Sequence, residues 1–303
     1  MILVSSVCSF MSIKATRCSH KTPPSLPSTA NQVSIKGHNE QQLCPTKFCC
    51  CGTGRRHFIE AAAATALLPL DPSTSTATDS MAMLNKVHPP RADWYEELYA
   101  SVMNTGMKFY EEEIAGYKSH LFGILRGQAE KVLEIGIGTG PNLNYYATDT
   151  DVQVFGVDPN KKMEKYAQAA AVAAGLPLSN FKFEQAVGEA IPLSDASMDA
   201  VVGTLVLCSV KDVDMTLREV KRVLKPGGIY LFVEHVAAKD GTSLKFWQRV
   251  LDPLQQIVSD GCHLTRETGK NISEAGFSGV DLNMAFLSKA SLVSPHVYGI
   301  ARK

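Results

Sequence analysis

A short apolar strand that carries one acid and runs into alternating glycines constrains this chain more than any other stretch. It reads Val132-Leu133-Glu134-Ile135-Gly136-Ile137-Gly138-Thr139-Gly140. A glycine run at a strand-to-helix turn lets a ligand approach the backbone, because no side chain stands in the way. A dinucleotide fingerprint would place its third glycine five positions after Gly136, where this chain has Pro141. Glu134 inside the strand would also repel a pyrophosphate, whereas a ligand with a cationic amino group suits it. Asp158 lies 22 residues after Gly136, at the end of the next apolar run, where it can accept from both hydroxyls of a ribose. An acid ahead of Pro159 also fits a helix N-terminus, and the two roles are compatible.

Around this turn the chain alternates strand and helix signals. Residues 131–136, 152–157, 181–185, 199–206 and 229–236 read as short, buried parallel strands. Val213, Leu217, Val220 and Leu224 recur at helical spacing, with Arg218, Glu219, Lys221, Arg222 and Lys225 on a solvated face. Pro226-Gly227-Gly228 is expected to end that helix. Further helices are expected over 93–125, divided at Gly106 and Gly116, and over 244–258 and 265–275. Strands 280–287 and 296–301 lack the long crossover that parallel neighbours require, so an antiparallel pair at the sheet edge is expected. The fold class is therefore α/β and Rossmann-like: a mostly parallel seven-stranded sheet with an antiparallel C-terminal strand pair and helices on both faces.

Charge separates the chain into two parts. There are 30 Lys+Arg against 30 Asp+Glu, but residues 1–80 hold 7 basic and 4 acidic residues, leaving 23 and 26 for residues 81–303. The second part is mildly acidic, which argues against nucleic acid as a partner. Residues 1–80 are rich in Ser and Thr, poor in acids and hold six of the eight Cys, so they are expected to be disordered. This segment resembles a plastid transit peptide. The apolar run from Ala61 to Leu70 is too short to span a bilayer. Arg55-Arg56 before it also resembles a twin-arginine signal for the thylakoid lumen. A chloroplast location is expected, in the stroma rather than the lumen. Cys49-Cys50-Cys51 fits transit-peptide composition, and no Cys/His pair has zinc-ligand spacing, so no metal site is expected. Residues 81–303 form the expected domain: N-terminal helices over 81–128, a cofactor-binding half over 129–236 and an acceptor-side half over 237–303.

Together with Leu224-Lys225-Pro226-Gly227-Gly228, the glycine turn and Asp158 resemble the class I S-adenosylmethionine-dependent methyltransferases. The later motifs Thr204-Leu205-Val206-Leu207-Cys208-Ser209-Val210, Glu234-His235-Val236, Asp260-Gly261-Cys262-His263-Leu264-Thr265-Arg266-Glu267 and Pro295-His296-Val297-Tyr298-Gly299 resemble the methyltransferase-like 7 family. That resemblance implies S-adenosyl-L-methionine as cofactor and methyl transfer to small thiols by membrane-associated proteins. A more distant resemblance is to the quinone-biosynthesis C-methyltransferases. Their third-strand loop carries an Asp toward the adenine, where this chain has Val187. Backbone groups around Val187 and Gly188, with Glu189 nearby, would then receive the adenine.

The expected cofactor contacts are Glu134, Gly136, Gly138, Asp158, Pro159, Gly188, Glu189 and Leu205. His235, at the exit of the fifth strand, is the expected catalytic residue, assisting deprotonation of the acceptor near neutral pH. A thiol acceptor needs little such help, since its pKa of about 8.5 leaves part of it ionised. His263 and Arg266 are candidates for closing the acceptor pocket and Trp247 for lining it, although each also fits a structural role. Cys208 reads as a small buried side chain rather than a nucleophile. The expected partner is a small-molecule acceptor, with no transmembrane span and peripheral membrane contact, including at a thylakoid or plastoglobule surface. Methylation of a quinone, phenolic or other lipid-soluble acceptor and non-catalytic binding of the cofactor stay open as alternatives.

Overall fold

The computed structural model describes residues 73–147 and 151–303. Expectations that fall on residues 1–72, among them the transit-like segment, Arg55-Arg56 and the cysteine triplet, lie outside the described residues. The strands are β1 (Lys131–Ile135), β2 (Gln153–Asp158), β3 (Phe181–Gln185), β4 (Met198–Thr204), β5 (Leu224–His235), β6 (Gly279–Phe286) and β7 (Pro295–Arg302). The helices are α1 (Ser73–Val87), α2 (Asp93–Gly106), α3 (Lys108–Leu125), α4 (Leu143–Tyr146), α5 (Glu164–Ala174), α6 (Val213–Val223), α7 (Ser243–Val258) and α8 (Thr268–Glu274).

All seven strands join one sheet in the order β3-β2-β1-β4-β5-β7-β6. Strands β1 to β5 pair in parallel, and β7 runs antiparallel to both β5 and β6. This is the mixed sheet expected from the alternating pattern, with its antiparallel pair at one edge. Strand periodicity sends alternate side chains to opposite faces. Val132, Val202 and Leu231 pack on one face with Ile114, Leu121 and Ala167 of α3 and α5. Leu133, Val201 and Phe232 pack on the other with Leu217 and Val220 of α6 and Ile272 of α8. Both sheet faces are thus covered, as continuous apolar strands require.

Four local details differ from expectation. Gly116 does not divide a helix: α3 runs through it and the space where a Cβ would stand is open, whereas the expected break after Gly106 is present, at Met107. A single exposed glycine costs a helix only about 1 kcal/mol. In α2 the expected apolar stripe of Trp94, Leu98 and Val102 is exposed, while Glu96 and Ala100 are buried. Leu224 belongs to β5 rather than α6, and Lys225 to Gly228 form a bulge where the register jumps from Met198↔Leu224 to Ala200↔Ile229. Helix α1 begins at Ser73, ahead of the boundary drawn after Ser80, because Ser80 and Leu84 dock on the domain. The Ser80 hydroxyl donates to the carbonyl of Ala190 at 2.8 Å.

Strand order reverses between β1 and its two neighbours, β2 and β4. In an open α/β sheet that reversal opens a crevice at the carboxyl ends of the strands, and this fixes where a ligand enters.

Candidate active site

The turn after β1 holds its shape through backbone geometry that glycine permits. Gly136 and Gly138 have φ of +63° and +53°. A Cβ on Gly136 would stand 2.6 Å from Val206 Cγ2, whereas a Cβ on Gly138 would meet nothing nearer than the Gly136 carbonyl at 4.0 Å. The first glycine therefore lets two chain segments touch, and the second leaves open space beside the turn.

Two buried acids brace this turn from either side. Asp158 at the end of β2 accepts from the Gly138 amide at 3.0 Å and the Asn160 amide at 2.9 Å. Glu134 in β1 accepts from Asn142 Nδ2 at 2.7 Å and the Tyr146 hydroxyl at 2.8 Å. Burial pushes both carboxyls up to about 7, against the hydrogen bonds that favour their charge. The partners of Glu134 lie in and beside α4, directly after the glycines, so the strand acid anchors the far end of the same loop.

A cavity of about 420 Å³ opens over the turn. Gly136, Pro159, Gly188, Glu189 and Leu205 all line it, so five of the expected cofactor contacts converge from four separate loops. Glu134, Gly138 and Asp158 are not among its lining residues, although Asp158 bonds the turn that carries Gly136. Val187 and Gly188 also face the cavity, where backbone recognition of an adenine was expected. One oxygen of the Glu189 carboxylate, Oε1, accepts from the amides of Lys211 at 2.6 Å and Asp212 at 3.2 Å.

One wall comes from the chain between α1 and α2. His88, Pro89 and Arg91 face Gln256, Asp260 and Gly261 from the end of α7 and the turn after it. Arg91 Nη1 donates to Asp260 at 2.7 Å, and His88 Nε2 lies 3.5 Å from the same carboxylate. Although burial works against its ionisation, these two partners hold Asp260 at about 2. Asp260 itself has a φ of +50°, a strained backbone for a residue other than glycine.

On the opposite side Leu205 leaves β4 with a φ of +56°. Glu234 of β5 holds that turn, accepting from the amides of Val206 and Leu207 at 3.0 Å each. Burial also pushes Glu234 up to about 7. Arg266 adds a bond from Nη1 to the Leu207 carbonyl at 2.5 Å. It thus braces the wall rather than closing the cavity.

His235 is fully buried and lies outside the cavity lining, with Nε2 3.1 Å from Cys262 Sγ. The donors of Cys208, His235 and Cys262 all lie within 4.8 Å of one another. Through the hydrogen bond from Cys208 and the neighbouring His235, Cys262 is held well below the usual thiol range, while Cys208 is raised. His263 turns instead to Asp252, with Nδ1 3.5 Å from that carboxylate. Trp247 is 53% exposed beside Phe246 on α7 and does not line this cavity.

Residues 133–232 match the family model described as a methyltransferase domain. Human thiol S-methyltransferase TMT1A is 44% identical over 202 residues, which cover 64% of this chain and 81% of that protein. Rat thiol S-methyltransferase TMT1B is 45% identical over 183 residues, covering 59% and 74% respectively. The chain belongs to the TMT1 thiol S-methyltransferase family. Among solved structures, a Haloferax volcanii methyltransferase in complex with the Trm112 activator shares the fold at a TM-score of 0.54. It is 17% identical, with 70% of this chain and 98% of that one covered. A Burkholderia thailandensis O-methyltransferase family protein superposes at 0.52 with 14% identity, covering 67% and 59%.

This TMT1-family chain is thus a methyltransferase, and S-adenosyl-L-methionine is the methyl donor for its domain. Three features of its site were missed in the sequence. Asn142 and Tyr146 as partners of Glu134 follow from helical spacing after the glycines, a signal that was available. Arg91–Asp260 and the Cys208–His235–Cys262 group join segments far apart in the chain, and no local spacing marks them.

Proposed function

We propose that this protein transfers a methyl group from S-adenosyl-L-methionine to a small thiol. The observation that carries this reading is the union of family membership with a cavity at the strand-order reversal, lined by the loops that follow β1, β2, β3 and β4. The residues present fit the donor. Gly138 leaves room for close approach, and the Asp158 carboxylate, with one backbone donor on each oxygen, keeps lone pairs for ribose hydroxyls. Val187 and Gly188 supply the backbone edge for the adenine, and Glu134 sets the field beneath the turn.

When bound, the donor supplies a sulfonium-activated methyl carbon, ready for in-line displacement. The chain's own residues place and enclose the partners. Positioning of this kind can account for about 7–11 kcal/mol of a barrier. Glu234 and Arg266 fix the Leu205–Cys208 turn that forms one wall. Arg91 and Asp260 tie together the segments of another wall. His235 Nε2 faces the Cys262 thiol rather than the cavity.

No helix among the described residues is long and apolar enough to cross a membrane. Peripheral contact with a membrane is supported by the exposed apolar face of α7, where Phe246, Trp247, Val250, Leu254 and Ile257 lie. A chloroplast stromal location is supported by the Ser/Thr-rich, acid-poor residues 1–56. Fractionation of plastids into stroma, lumen and membranes tests both: recovery in the lumen, or outside plastids, would overturn the location. Incubation with labelled donor and a panel of thiols, quinones and phenols tests the reaction; a methylated quinone or phenol with unreacted thiols would overturn the thiol assignment.

A further inference from the structure

The Cys208, His235 and Cys262 side chains are each at least nine-tenths buried, yet they come from three segments and turn their donor atoms toward one point. Cys208 follows β4, His235 ends β5, and Cys262 lies in the turn between α7 and α8. Ordinary packing would account for one buried thiol. It does not account for two thiols and an imidazole, with all donors within 4.8 Å, inside a protein whose described cysteines form no disulfide.

Two thiolates and one imidazole are a soft-to-borderline donor set, which selects zinc over magnesium or calcium. Three protein ligands with a fourth position left for an exogenous group is the arrangement of catalytic rather than structural zinc sites. The position of the triad gives that fourth place a use. Ser209, directly after Cys208, and Gly261, directly before Cys262, both line the cavity, so the two thiols are each one residue along the chain from its wall. We propose that Cys208, His235 and Cys262 bind a zinc ion whose fourth ligand is the sulfur of the thiol acceptor. This rests on the reading of the protein as a thiol methyltransferase.

Zinc binding of the acceptor would supply deprotonation directly, whereas the lining imidazole of His88 is turned to the Asp260 carboxylate at 3.5 Å. A metal-bound thiol is deprotonated outright. The acceptor's S–H bond breaks and its proton passes to solvent. The acceptor sulfur then uses a lone pair to form the new bond to the methyl carbon, and the donor's carbon–sulfur bond breaks with its electron pair staying on the donor sulfur. Nothing is oxidised or reduced. The neutral thioether product is a much poorer zinc ligand than a thiolate, which favours its release. His235 then acts as a ligand rather than as a free base.

The test uses the full chain, purified under reducing conditions, with metal measured by elemental analysis and with Co²⁺ as a spectroscopic probe. About one zinc per chain and tetrahedral Co²⁺ spectra with thiolate charge-transfer bands are expected. Cys262→Ser and Cys208→Ser should each lower zinc affinity by at least tenfold. The combined Cys49→Ser, Cys50→Ser and Cys51→Ser variant should leave it unchanged, which separates the site from the N-terminal cysteine triplet. Binding of the methyl donor serves as the folding control for every variant. Adding a small alkyl thiol should shift the Co²⁺ bands; unchanged bands would overturn the fourth-ligand assignment. Absence of zinc and of Co²⁺–thiolate bands in the reduced wild-type chain would overturn the site, even if thiols are methylated. Zinc bound at the triad without methylation of any thiol would instead overturn the functional reading and with it the acceptor role, while the metal site stands.

Discussion

The Arg91 guanidinium donates to Asp260 at 2.7 Å across 169 residues of sequence, joining the segment between α1 and α2 to the turn after α7. That bond makes one wall of the cavity out of two parts of the chain that share no strand. The same Arg91 also donates from Nε to Glu96 in α2, at 2.5 Å. The ion pair is only partly exposed, and removing Arg91 takes a partner from both Asp260 and Glu96, leaving Asp260 to His88 alone.

Arg91→Ala should therefore cost about 1–3 kcal/mol of stability, the range for losing a hydrogen bond to a charged group. It should also weaken substrate binding more than the chemical step, raising KM for donor or acceptor with a smaller change in kcat. Denaturant melts and steady-state kinetics check both. Wild-type KM values in a stable Arg91→Ala protein would show that this wall does not help enclose the ligands.

Asp158→Ala should weaken binding of S-adenosyl-L-methionine by at least about tenfold, equivalent to roughly 1.4 kcal/mol. The loss has two sources: the ribose acceptors and the carboxylate that fixes the Gly138 amide. Calorimetric titration of the purified protein measures it. An unchanged Kd would remove Asp158 from the donor site.

Gly136→Ala should destabilise the protein by about 1–3 kcal/mol through overpacking against Val206, with added strain at its φ of +63°. Gly138→Ala shares the strain of a positive φ, +53°, but meets no such contact, so its loss of stability should be smaller and its effect on donor binding larger, because the methyl group would enter the open space beside the turn. Thermal melts compared with donor titrations distinguish the two. Equal losses of stability in both variants would contradict the division of roles between the glycines.

Much of this was legible in the chain. Glu134, the alternating glycines and Asp158 marked a strand-turn-helix with a ligand-facing turn through local spacing, while the methyl donor itself came from the resemblance these residues carry. The antiparallel β6–β7 pair followed from a connection too short for a parallel crossover. The exposed Trp94 and Trp247 were harder, since a helical stripe looks alike whether it faces a core or the outside. Glu234 was visible as a residue but not as a brace, because its partners Val206 and Leu207 are backbone amides on another strand's exit. The Cys208–His235–Cys262 group escaped entirely: zinc-ligand spacing is a rule for local loops, and these three meet only when β4, β5 and the turn after α7 are assembled.

Glu134, Asp158 and Glu234 all have folded-state values raised to about 7 by burial. The folded protein then holds more protons than the unfolded chain between the ordinary carboxylate range and about 7. Their contribution to stability is fully present below the unfolded values and is lost as pH rises through about 7. Asp260, held at about 2, acts in the opposite sense: its contribution is present above the unfolded value and is lost as pH falls through about 2. The ligand-free protein should be more stable near pH 5 than near pH 8. Thermal melts across that range check the sign, and a rise in stability toward pH 8 would contradict the burial of three protonatable acids.

The most direct test is methyl transfer by the full chain from S-adenosyl-L-methionine with a labelled methyl group, offered a small alkyl thiol, a phenol and a quinone in separate reactions. Label should appear on the thiol sulfur as a thioether, well above any transfer to the phenol or quinone. Label on the phenol or quinone alone, or donor bound with no transfer to any of the three, would contradict thiol methylation as the activity of this protein.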